Sequence, residues 1–198
     1  MRWNPHARDA ATDRESTSSS RYPARRAIRT AGSEPWSKRV SKTHYIGYGD
    51  EGFWAYDVAQ GVLLKYLVDI AETRAEDPGM AWLREAAHSW RIGAVLYGLH
   101  IEQSWSVEQL GVFKHLVLQA CAQLATRQTI PSAEIENWPM IDDLRIFTRC
   151  AKEVCTAPVV ELGRAVVGLL EGTLPSPPAG TWWCFGFPEG RTIIQIRE

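Results

Sequence analysis

Gly47-Tyr48-Gly49-Asp50-Glu51-Gly52 has the G-x-G-x-x-G spacing that lets a backbone approach a pyrophosphate at a helix N-terminus. That chemistry needs a strand, the glycine turn, a helix and a second strand in succession. Here the helix expected from Phe53 is followed by Asp77-Pro78, which opens another helix. Asp50 and Glu51 would also set two negative charges beside a phosphate. A capped turn into a helix is the better account, with Asp50 as cap and Glu51 favourable against the dipole.

His100-Ile101-Glu102 has the H-x-E of zinc deaminases, but the P-C-x-x-C partner is absent. The chain contains no H-E-x-x-H, G-x-S-x-G or Walker A pattern. His88 and His115 fall on the polar faces of expected helices and read as surface residues. Cys121 falls on an apolar face, where a thiol is inert. Cys150 and Cys155 have neither redox nor zinc-ligand spacing. Asp142 and Asp143 follow Glu134 and Glu136, yet neighbouring helix positions point about 100° apart and cannot chelate one ion unaided. Favourable charge in the first turn of a helix explains both aspartates. No catalytic set, metal site or cofactor is expected. What remains is a contact surface: the carboxylates Asp50, Glu51, Asp142 and Asp143 beside the aromatics Trp54 and Trp138.

The elements that must carry these residues follow from periodicity. His44–Tyr48 suggests a short strand. From Phe53 to about Arg74, Asp57, Gly61, Lys65, Asp69 and Glu72 form one narrow polar stripe on an otherwise apolar helix. A second helix starts at Asp77-Pro78, and Ala94–Ile101 leans towards helix rather than strand. Ser106-Val107-Glu108-Gln109 is a capping box opening a helix to about Arg127. Trp138-Pro139 opens another, from about Met140 to Val154. Thr156-Ala157-Pro158 begins the last, with Gly172 as its left-handed C′ residue. After a Pro-rich linker, Thr181–Phe187 and Thr192–Arg197 read as a β-hairpin, which is marginal alone and must pack on the helices. The expected fold is mainly α: a single domain, residues 43–198, of four to five helices with a C-terminal hairpin over 181–197.

Residues 1–42 differ in texture. Val40 and Ile28 are their only branched aliphatics, and ten Lys/Arg face four Asp/Glu. So little apolar surface cannot offset the entropy of ordering, and a disordered basic leader is expected, removable without loss of the fold. It reads as a solvated arm, as a non-native extension ahead of a start near Val40, or as a functional basic arm. Its acids argue against a mitochondrial presequence. Residues 43–198 carry twelve Lys/Arg and nineteen Asp/Glu, so the body is acidic and unsuited to phosphate contacts, while the leader could meet nucleic acid. The most apolar stretch, Pro158–Leu170, is too short to span a bilayer, and no membrane contact is expected. Reduced thiols suit the cytoplasm. The expected function is non-enzymatic protein binding, of the kind of a bacterial immunity protein that neutralises a toxin. A small enzyme of unrecognised type, or a nucleic-acid-associated regulator using the basic arm, are the alternatives.

Overall fold

Tyr48 and Glu51 pair across Gly49-Asp50, closing β1 (Thr43–Tyr48) and β2 (Glu51–Tyr56) into an antiparallel hairpin. Gly49, at the first central position with φ +60°, meets the positive-φ demand of a tight hairpin turn. The computed structural model describes residues 43–195, so the leader and the end of the C-terminal hairpin lie outside the described residues.

β2 corrects the expectation of a helix from Phe53. Its apolar run fits either period, and burial alternates as in a strand: Phe53 and Ala55 are fully buried, Trp54 and Tyr56 partly so. β2 also pairs in parallel with β5 (Thr181–Phe185), through Trp54↔Cys184 and Ala55↔Phe185. β5 pairs antiparallel with β6 (Thr192–Gln195), giving a four-stranded mixed sheet of order β1-β2-β5-β6. The chain is therefore an α+β mixture, neither mainly α nor all-α. The C-terminal hairpin forms as expected over its described residues. It gains stability by extending a sheet rather than by resting on helices alone.

α1 (Asp57–Arg74) is the central helix, packed against α2 (Trp82–Val95), α3 (Val107–Leu124) and α5 (Thr156–Leu170). Asp77-Pro78 marks a turn and not a helix start: Met80 N–H donates to Asp77 O, and α2 begins at Trp82. α2 stops at Val95, where Gly98 N–H turns back to Gly93 O, so residues 96–101 are neither helix nor strand. The capping box of α3 is present: Gln109 N–H donates to Ser106 Oγ (3.2 Å) and Ser106 N–H to Gln109 Oε1 (2.9 Å). α5 ends in a Schellman motif, with Gly172 at φ +65° and Thr173 N–H on Gly168 O.

Residues 137–152 depart most from expectation. The helix expected from Met140 to Val154 is absent. A short α4 (Ser132–Glu136) precedes an irregular segment, and β3 (Thr129–Pro131) pairs with β4 (Glu153–Cys155). Asp142, Arg149 and Cys150 have φ of 47°, 57° and 62°, outside the right-handed helix. The buried Met140, Ile146 and Thr148 share no helical face. No helix among the described residues is long and apolar enough to cross a membrane.

Candidate functional site

The polar stripe of α1 explains the irregular segment. Residues 137–152 run as a strap along its N-terminal half, antiparallel to the helix. Trp138 packs edge-on against Tyr66, with ring centroids 6.2 Å apart and Lys65 Nζ 5.7 Å from its ring. Ile146, 2% exposed, lies over Gly61; a Cβ added there would stand 3.0 Å from Ile146 Cγ2 and from Ala94 O. Glycine inside a helix costs about 1 kcal/mol relative to alanine, and here it opens the space that seats the strap. One turn earlier, Asp57 receives two hydrogen bonds from Arg149: Nε to Oδ1 at 3.2 Å and Nη2 to Oδ2 at 2.6 Å. Both side chains are mostly buried, at 18% and 25% exposure. The hydrogen bonds to Asp57 raise the arginine's pKa against the opposing effect of burial. Thr148 Oγ1 donates to Glu136 Oε1 (2.8 Å), tying the strap to α4.

A cleft of about 160 Å³ lies between the strap, the first turn of α1, the end of α2 and His44 of β1. Gln60, buried in its wall, accepts from Leu99 N–H (3.2 Å) and donates to His44 O (3.5 Å), joining sheet, α1 and the chain after α2. A second cleft, about 180 Å³, lies beyond Thr148 between Tyr56, Cys155 and Pro188. Phe147 in the lining of the first faces solvent, and so do three large side chains next in sequence to lining residues. Phe147 is 65% and Leu144 42% exposed on the strap; Leu96 and Tyr97, just past α2, are 48% and 46%.

No protein-family model, curated protein or solved structure matches this chain.

The residues singled out from sequence divide between two places. Trp138, Asp142 and Asp143 lie on the strap, Trp138 half-buried and both aspartates exposed. No helix begins at these aspartates, so the helix-dipole account of them falls. Asp50 and Glu51 are exposed at the β1–β2 turn, and Trp54 is half-buried on β2, edge-on to Tyr45 at 5.6 Å. No hydrogen bond, ion pair or ring contact joins the two groups among the described residues. Asp50 caps no helix either, since the turn leads into a strand.

Sequence reasoning passed over Phe147, Leu96, Tyr97 and the Asp57–Arg149 pair. A glycine and an aspartate four residues apart on the central helix were the available signal. A stripe of that kind can be a wet face or a seat for another segment. The other candidates lie apart. His100 and Glu102 stand 3.7 Å apart, both about half exposed. Cys121 and Cys184 are buried; burial raises both thiol pKa values, Cys184 to about 12, so neither is a ready nucleophile. Among the described residues no group of three or more His, Cys, Asp or Glu is placed to hold a metal.

Proposed function

We propose that this chain is a non-enzymatic protein-binding domain whose contact surface centres on the α1–α2 cleft and its strap. The observation that carries this reading is the exposed Phe147 in the lining of a small cleft, with the exposed Leu144, Leu96 and Tyr97 each next in sequence to a lining residue. Solvent-facing apolar side chains scattered singly need no explanation, but several gathered about a depression, with charges at the rim, suit a partner's anchor residues. At about 160 Å³ the cleft is smaller than the roughly 300–1,000 Å³ usual for sites that enclose a small organic ligand. The acidic balance of residues 43–198 favours a basic partner. An acidic contact domain for a basic toxin is the immunity-type version of this reading, and two exposed thiols, Cys150 and Cys155, suit a reducing cytoplasm.

The test uses the product of the neighbouring gene, above all a larger secreted or modular protein, as the binding probe. Phe147→Ser and Leu96→Ser should each weaken its binding by roughly tenfold or more, as loss of an apolar anchor does. Circular dichroism should report the fold unchanged. Binding that both variants leave intact would remove this surface from consideration.

A further inference from the structure

We infer that residues 137–152 form a latched strap, which opens as a unit from α1 while the remaining body stays folded. The strap carries all three non-glycine residues with positive φ among those described, Asp142, Arg149 and Cys150, the last two adjacent. Left-handed backbone at such residues persists only where surrounding contacts impose it. Against α1, Ile146 sits on Gly61, Trp138 rests on Lys65 and Tyr66, and Arg149 grips Asp57, while Thr148 holds Glu136 of α4. Its backbone is closed by local turns, Leu144 N–H on Ile141 O and Ala151 N–H on Thr148 O. Segments with few buried apolar contacts and local hydrogen bonds open ahead of the core.

The architecture around it is arranged for separate motion. Both ends are fixed: Trp138 N–H donates to Ile135 O at the end of α4, and Lys152 O accepts from Ser132 N–H beside β4. Between these points only Ile146 and Thr148 are buried after Met140. Asp57 and Gly61 lie four residues apart, hence on one face of α1, so releasing Arg149 frees the segment that holds Ile146 in place. Opening would uncover the α1–α2 floor at Gln60, Gly61 and Ala94, and so widen the cleft. This inference concerns the chain alone and does not depend on the binding reading.

Hydrogen–deuterium exchange of the full chain, read by mass spectrometry, tests it with two variants of opposite effect. Arg149→Gln breaks the latch and leaves Asp57 against the dipole of α1. It should speed exchange of peptides from 139–151 by roughly tenfold or more, the effect of losing a charge-assisted hydrogen bond. Protection in α1, α3 and α5 should not change. Cys150→Gly supplies a residue at ease with φ 62° and should slow exchange in the same peptides several-fold. Failure of Arg149→Gln to fold, loosening of the helices together with the strap, or unchanged strap exchange would each overturn the inference. So would exchange in Cys150→Gly equal to or faster than in the parent chain.

Discussion

Leu67 and Val166 are both fully buried, one on α1 and one on α5, while His88 and His115 are exposed on α2 and α3. The contrast ranks four substitutions. Leu67→Ala should cost about 2–5 kcal/mol, because the removed methyl groups leave a cavity that packed neighbours fill only in part. Val166→Asp should cost more, since it places a carboxylate at a fully buried apolar position. His88→Ala and His115→Ala should stay within about 0.5 kcal/mol. Urea midpoints of the four variants check the order; a histidine variant less stable than Leu67→Ala would overturn it. These positions were legible from helical periodicity, which depends only on which face is apolar. Asp57, Gly61 and Lys65 were not. Their spacing marks a polar stripe, but only the tertiary structure shows that Trp138, Ile146 and Arg149 cover it.

At the scale of elements, local signals were legible where the sequence has a short-range mechanism. The Ser106–Gln109 capping box and the Gly172 C′ residue each bond to atoms a few positions away. β2 and the strap have no such code. β2 exists because it lies between β1 and β5, a partner some 130 residues later in the chain, and the Phe53–Tyr56 run suits a helix equally until that pairing is known. The strap follows α1 rather than its own period. Its Trp138-Pro139 and Asp142-Asp143 resemble a helix start only in isolation. The β1–β2 hairpin offers a sharp test of the element it forms. Tyr45 lies across the Gly47–Gly52 pair, and a Cβ at Gly52 would meet the Tyr45 hydroxyl and stand 2.5 Å from the Ile46 carbonyl oxygen. Gly52→Ala should destabilise the fold by about 1–3 kcal/mol, the usual cost of overpacking. Thermal or urea unfolding measures it. Because the Ile46 carbonyl is backbone, trimming Tyr45 to alanine should not rescue the variant; full rescue would show that the hydroxyl alone is responsible.

For the whole molecule, charge and shape divide the candidate surface in two. The body is acidic, and its exposed carboxylates include Asp50 and Glu51 at the tip of the β1–β2 hairpin and Asp142 and Asp143 on the strap. Sequence alone set these four together as one surface. Six residues of β2 lead from the hairpin turn to the start of α1, so the tip stands about 20 Å along the strand from Asp57 and its latch. With a Debye length of about 8 Å at physiological salt, a charge at the tip acts weakly on a partner approaching the cleft, whereas Asp142 lies on the same strap as the exposed Phe147. Charge reversal therefore separates the two places. With a basic cognate partner, Asp142→Lys should slow association several-fold at low salt and flatten its dependence on ionic strength. Asp50→Lys should change either quantity much less, and both variants should unfold at the parent temperature. Stopped-flow association across a salt series makes the measurement. A larger effect from Asp50→Lys would move the contact to the hairpin, where Trp54 and Tyr45 would be its aromatic anchors. Equal and negligible effects from both would leave the acidic balance of the body without a role in recognition, and the cleft's apolar rim as its only support.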